Sequence, residues 1–405
     1  MPQKKLMLLG GLRYLLPVIE EAHKMGIYVI TADYLPGNIA HKYSDEYCNV
    51  SIIDKEAVLK AAQELKIDGI LSHAVDPGVV SAAYVAEQMG LPFQCSHEAA
   101  CILQDKSRFR AFLAEHGFNC PKARGYDNSE EALKDVDYFN WPVIVKPVDS
   151  AGSKGVTKVE NKADLRDAIG TALQSSLSKH FVIEDFLDKV GAQSSADIFT
   201  VDGKLVYPAY SDQLFDPDAA NPYTPAIEIW PASMEQKFQD NLTEQLQKLF
   251  TLLNVKSGIY NVESRVCSDG KAYIMEVSPR GGGNRIAELQ DMATGQSLIR
   301  NEIRKALGMP LDDITAPKYD GVWCNYILHS NKPGTFVSVD INPDFEKKYV
   351  RDIGLIVKPG DKIEPFTGAN NSLGTLFLQF KTLSELHDKL AHIRNWVKII
   401  LDFTK

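Results

Sequence analysis

The sequence has no pair of cysteines at finger or redox spacing: its six, Cys48, Cys95, Cys101, Cys120, Cys267 and Cys324, are scattered without a Cys-x-x-Cys. That excludes a zinc ribbon and a disulfide scaffold, and makes a reducing cytoplasm the expected home. Basic charge is short as well. A net charge of −9 disfavours nucleic acid as the default partner, because neutralising phosphates along a duplex takes a basic face. No stretch approaches the roughly 18 uninterrupted apolar residues of a membrane span. Lys4 and Lys5 before Leu6–Leu9 imitate a secretory leader, but Arg13 breaks the run and no small-residue cleavage site follows, so it reads as a first strand. Internal repeats and low-complexity tracts are missing too.

What is there is globular. With 405 residues, 44% hydrophobic and 24% charged, the chain exceeds one core and predicts about two to four domains. Residues 1–100 alternate strands (Leu6–Leu9, Tyr28–Ala32, Gly69–Ser72) with helical patterns, one capped at Asp54, as in a doubly wound parallel α/β unit. Asp76-Pro77-Gly78 reads as a turn after the third strand. Gly10-Gly11 with Asp33 suggests a dinucleotide site, but the spaced third glycine is missing, so an NAD-dependent oxidoreductase rests on those three residues alone. From about Cys101 the texture changes, with a charged helix over Gln104–His116 and another over about Met234–Leu253. Beyond Pro310 it becomes β-rich and ends with a closing helix opened by a Thr382-Leu383-Ser384-Glu385 capping box.

The most informative feature is a hairpin. A two-residue Asp269-Gly270 turn predicts that Val266 faces Tyr273, Glu263 faces Glu276 and Asn261 faces Ser278. Two carboxylates about 5 Å apart repel by roughly 3 kcal/mol at an effective dielectric near 20, so a cation belongs between them, and a hard divalent ion suits two carboxylates plus phosphate oxygens. The strand runs on into Ser278-Pro279-Arg280-Gly281-Gly282-Gly283-Asn284-Arg285, whose glycines free backbone N–H groups for an anion. Upstream, Lys146 ends a short apolar strand ahead of the small, donor-rich loop 149–155, which suits a phosphate-covering flap. His73 and His97 read as structural or surface histidines. Asp76 reads as a turn cap or a substrate neighbour, and Arg285 as a carboxylate ligand or a partner of Glu288.

The order of these parts, Asp105-Lys106-Ser107, Val145-Lys146-Pro147 with its loop, Glu184-Asp185-Phe186-Leu187, Asn261-Val262-Glu263 and Glu276-Val277-Ser278-Pro279-Arg280, resembles the ATP-grasp superfamily over essentially the whole chain. The resemblance implies an α/β and α+β multidomain protein: a pre-ATP-grasp domain (1–100), an ATP-grasp domain (101–310, with a nucleotide-clamping part at about 120–187) and a C-terminal β-rich segment (311–405). It implies ATP and Mg (or Mn) as cofactors, and small carboxylate and amine substrates joined through an acyl phosphate. Lys106 and Lys146 would contact phosphates, and Ser150, Gly152, Ser153 and Gly155 would close over them. Glu184, Asp185, Phe186 and Leu187 would hold adenine, Gln193 the ribose, and Glu263, Glu276 and Ser278 the metal. Arg280 would steady the transferred group, and Gly282, Gly283, Asn284 and Arg285 would lie under the carboxylate. Two positions depart from the pattern: Ser278 stands where the family carries a metal-binding asparagine, with Asn261 opposite as a substitute oxygen, and Gln193 stands for a glutamate. The C-terminal segment looks similar to that of L-amino-acid ligases. Enzymes of the superfamily are often homodimers, though no heptad or interface patch points to one here. A nucleotide sensor that ligates nothing is the rival reading, supported by Ser278, and a thiol or ammonia nucleophile stays open.

Overall fold

The computed structural model describes residues 3–150 and 154–403. Its first sheet is parallel throughout, with Lys5–Leu9 between Tyr28–Asp33 and Gly69–Leu71 and with Glu46–Asn49 outermost. Leu6, Met7, Leu8 and Leu9 are all fully buried, as expected of a strand covered by helices on both faces. Those helices are Leu16–Lys24, Lys55–Leu65 and Asp76–Met89. Asp54 caps the second by accepting from Ala57 N at 3.1 Å. Asp76-Pro77-Gly78 is not a free turn but the first turn of the third, because proline fits the start of a helix where its missing N–H has no partner to lose.

The expected helix over Gln104–His116 is Lys106–Glu115, preceded by a separate helix His97–Gln104. Asp105 breaks them, with extended backbone and a side chain that accepts from Ser107 N and Arg108 N, which leaves Lys106 at the head of the second. A small antiparallel sheet follows, ordered Ala123–Tyr126, Phe181–Asp185, Val143–Pro147, Thr157–Val159. A second antiparallel sheet runs Lys204–Tyr210, Ser194–Val201, Gly258–Val266, Ala272–Ser278. Helix Gln236–Leu252 lays Leu242, Leu246, Leu249 and Phe250 against it, a stripe at helical spacing that is fully buried.

The last large sheet is assembled from two stretches of sequence: Asp212–Phe215 and Pro225–Trp230 pair onto Val322–Leu328, Gly374–Phe380 and Val350–Leu355. Thr382 does cap helix Leu383–Ala391, accepting from Glu385 N at 3.2 Å. That helix does not close the described chain, since strand Val397–Asp402 follows and pairs with Gly334–Ile341.

Candidate active site

The hairpin of Gly258–Val266 and Ala272–Ser278 sets Glu263 opposite Glu276 and Asn261 opposite Ser278. It does so by a different route from a two-residue turn. Cys267 N donates to Lys271 O and Gly270 N to Cys267 O, so the loop has three residues, with Gly270 left-handed at φ 75. The outer rungs are therefore shifted by one, and Val266 faces Ala272 rather than Tyr273. A bulge at Met275 then restores the register before the two glutamates are reached. Burial and the facing Glu276 push the Glu263 carboxyl above its ordinary range. Lys106, at the head of its helix, reaches Glu276 at 3.5 Å and donates to Ser150 O at 3.1 Å.

Beyond the acids the strand end is knitted to the first sheet. Arg280 holds Asp76 with both Nε (2.9 Å) and Nη2 (2.8 Å), a two-point geometry that fixes the plane of each group. Ser278 is buried, donates to Asp76 Oδ1 at 2.9 Å and accepts from Gln104 Nε2 at 2.6 Å. Its hydroxyl is thus engaged with the Arg280 ion pair. Asn261 donates to Asp197 Oδ1 at 2.9 Å.

Asp197 is fully buried, and burial lifts its carboxyl to about 6 against the pull of Asn261 and the Gly282 N–H. That N–H reaches both Asp197 oxygens at 2.9 and 3.0 Å, so the anion that the glycine run meets here is the protein's own. A Cβ on Gly282 would sit 2.9 Å from Asp197 Oδ1, and one on Gly281 would sit 2.6 Å from the His73 ring. His73 is accordingly no surface residue: burial and Arg280 push it down to about 4, which keeps it neutral. Asn284 and Arg285 both adopt left-handed backbone, φ 53 and 64, a conformation that non-glycine residues take at a cost. Asn325 Nδ2 steadies the turn by donating to Asn284 O at 2.6 Å. Arg285 pairs with Glu288 at 2.9 Å, as one sequence reading had it, and also with Asp352 at 2.7 Å.

Across the cleft, Lys146 points from its strand end to Glu184 at 2.5 Å, and Arg110 reaches the other Glu184 oxygen at 2.8 Å. Burial alone would favour the neutral acid, but the two cations hold Glu184 ionised at about 2. Burial draws Lys146 down to about 8 against the pull of Glu184. The Glu184 side chain is thus a structural anion, and the expected hinge contact with adenine falls to backbone groups. Asp185 caps Asn140, accepting from its N at 2.9 Å and its side chain at 2.6 Å, and Phe186 N donates to Pro142 O. Leu187 follows, half-buried. Gly155 lies beyond the strand in left-handed backbone, while Gly152 and Ser153 lie outside the described residues. Gln193 sits beside the acids: its Nε2 donates to Gln213 (3.0 Å) and Glu263 (3.3 Å), and its Oε1 accepts from Arg265 (2.6 Å).

Sequence reasoning passed over Arg110, Gln104, Asp197 and Glu228. Arg110 carried one signal, a cation on the buried face of a helix. Glu228 lies on a buried strand opposite Asn325, accepts from Gln213 at 3.3 Å, and is lifted by burial to about 8.

Residues 139–288 match the family model described as an ATP-grasp domain. Among curated relatives, the carbamoyl phosphate synthase large chain of Caldanaerobacter subterraneus subsp. tengcongensis is 24% identical over 266 residues, 65% of this chain and 23% of that one. The formate-dependent phosphoribosylglycinamide formyltransferase of a Synechococcus species is 25% identical over 317 residues, covering 77% and 79%. The matched stretch spans about a fifth of the carbamoyl phosphate synthase large chains. The crystal structure of L-amino acid ligase from Bacillus licheniformis superposes with a TM-score of 0.80 at 20% identity over 99% of both chains. That of phosphoribosylglycinamide synthetase from Anaerococcus prevotii gives 0.76 at 20% identity, over 99% and 100%.

Proposed function

Starting from the ATP-grasp domain that this chain carries, we propose that it is an ATP-dependent carboxylate–amine ligase that works through an acyl phosphate. The observation that carries this reading is the facing pair Glu263 and Glu276, with Arg280 four residues past the second acid on the same strand end. Two hard oxygen donors in register, with Glu263 pushed toward its neutral form by burial and then by the other's charge, fit a magnesium or manganese ion. When bound, that ion would neutralise the phosphate oxygens and bring ATP to the acids. The units proposed are 1–100 for substrate, 101–310 for ATP and 311–405 for closing the substrate side.

A carboxylate is a poor electrophile at neutral pH. One of its oxygens attacks the γ-phosphorus of ATP, ADP departs, and the mixed anhydride is then attacked at carbon by an amine that loses a proton as phosphate leaves. This chain's residues contribute position and charge. Lys106 and Lys146 face the phosphates. Arg280, its plane fixed by Asp76, which Ser278 also holds, meets the transferred group. Ser150 and Gly155 flank the flap that excludes water from the anhydride. Phe186 and Leu187 line the adenine end, with Asp185 holding the adjoining turn. Ser278 serves the Arg280 pair and leaves the metal to the two glutamates. Gln193 orients Glu263 in addition to any contact with ribose.

The test is ADP and phosphate release from magnesium ATP across a panel of amino acids, singly and in pairs, with Glu276→Ala as control. Product that requires both partners and vanishes in the variant supports the ligase. Tight ATP binding with no turnover on any pair overturns it in favour of a nucleotide sensor.

A further inference from the structure

Between the first sheet, the Gly282–Arg285 turn and the strand Val350–Leu355 lies a cavity of about 230 Å³ whose wall includes Arg13, Tyr14, His73, Arg285, Glu288 and Ser372. We propose that it receives the amine substrate, and that this amine carries a free carboxylate held by Arg13. The inference rests on the ligase reading above and names its acceptor class.

Among the cations of the wall, one has no carboxylate partner. Arg285 is answered by Glu288 and Asp352, Glu20 on the wall by Lys24 at 2.9 Å, and His73 is neutral. Arg13 is different. Its guanidinium lies 4.6 Å over the Tyr14 ring. Its Nη2 donates to Tyr14 Oη at 3.1 Å, Ala369 O at 2.8 Å and Ser372 Oγ at 2.9 Å, all neutral oxygens. Among the described residues no carboxylate pairs with it, and its Nε and Nη1 are left to a ligand. A single guanidinium without a carboxylate partner suits a carboxylate ligand, which it can hold at two points. The volume points the same way, being below the roughly 300–1,000 Å³ of clefts for drug-sized ligands. Leu16, Ile299 and Leu355 line the rest, so the acceptor is a small amino acid with an apolar side chain.

Why the amine rather than the activated acid? Glu263, Glu276 and Arg280 are not in this wall, so the anion at Arg13 is not the one that meets ATP. The glycine turn joins the two places: Gly283 lies beside the Tyr14 ring, which a Cβ there would meet at 3.7 Å, and Gly282 is bonded to Asp197. An acceptor gripped at Arg13 therefore reaches the anhydride over that turn.

The experiment compares apolar L-amino acids with their amides as acceptors, in the wild type, Arg13→Gln and Arg13→Lys. The wild type is expected to favour the acid at least tenfold in kcat/KM. R13Q should raise KM for the acid tenfold or more while moving the amide less than twofold, and R13K should retain part of the preference. A merely structural tether would lower acid and amide alike, and that result, or a wild type indifferent to the carboxylate, overturns the proposal. Calorimetry of the same acids and amides with a non-hydrolysable ATP analogue reads Arg13 without turnover. Acid-selective binding lost in R13Q, with no turnover, sinks the ligase reading and keeps the site; equal binding by acid and amide sinks the site.

Discussion

The two faces of the cleft treat carboxylates in opposite ways. On the clamp side, Glu184 is answered twice from within the chain, by Arg110 at 2.8 Å and by Lys146 at 2.5 Å. On the hairpin side, Glu263 and Glu276 face each other in register, with one lysine at 3.5 Å from the second. The first arrangement is electrostatically closed, so its loss should be felt in folding. The second is open and is completed by a cation from solution, so its loss should be felt in function. A buried charge stripped of one partner is strongly destabilising, whereas relieving two like charges across a ladder is not.

The comparison breaks first at Arg110. Arg110→Ala should lower unfolding free energy by about 3–5 kcal/mol, because Glu184 is left buried with half its compensation; urea midpoints at unchanged m report it. A loss below about 1 kcal/mol would mean that Lys146 alone suffices and that the closed side is not closed. Next comes Glu276→Gln. It should lower ATP turnover by roughly 10²–10³ and leave the melting temperature in chelator equal to or above the wild type. Magnesium should raise the melting temperature of the wild type and not of the variant. A variant that melts lower in chelator would show the acid pair to be structural.

The hairpin shows how far sequence carried and why it stopped. Glu263 opposite Glu276 was legible although the turn was read one residue short, because the bulge at Met275 cancelled the error. Bulges follow from packing of both faces and have no residue signature as strong as Asp-Gly. The Lys146 end was legible from a lysine closing an apolar strand, whereas Lys106 entered only through the resemblance. What stayed hidden is long-range: Arg110 meets Glu184 across 74 positions, Arg280 meets Asp76 across 204, and Arg13 meets Ser372 across 359. Local pattern gives each of these residues a face but no partner. The stretch 212–230 was likewise unread, since Asp212–Phe215 pairs with Pro225–Trp230, and that strand is stabilised in turn by Val322–Leu328 a hundred residues on.

The closed side has a titration of its own. Lys146 is drawn down to about 8 by burial, and its ammonium is the form that attracts phosphate. Affinity for magnesium ATP should therefore be level below pH 8 and fall up to tenfold per unit above it, with Lys146→Met flat across the range. Calorimetry between pH 6.5 and 9.5 decides. A wild-type curve as flat as the variant's would remove Lys146 from the phosphates and leave it to Glu184.

Glu228 tests whether the open side extends beyond its two acids. It is connected to them through Gln213 and Gln193, which reaches Glu263, yet burial, and then the charges of Asp197 and Glu263, lift it to about 8. Across the ladder, Asn325 offers an oxygen with no donor, and Glu228 Oε2 has no partner either; a protonated Glu228 can serve both. The sign follows from linkage. The native acid keeps its proton up to about pH 8, while the unfolded one loses it near 4.3, so the native state binds more protons between these limits and stability falls as pH rises through the window. Glu228→Gln is neutral throughout and should flatten that fall, by about 1 kcal/mol between pH 7 and 8, read from urea midpoints at each pH. If the variant keeps the wild-type slope, Glu228 is ionised in the folded protein and a cation yet to be bound must face it. The unanswered negative charge of the cleft would then be three carboxylates deep rather than two.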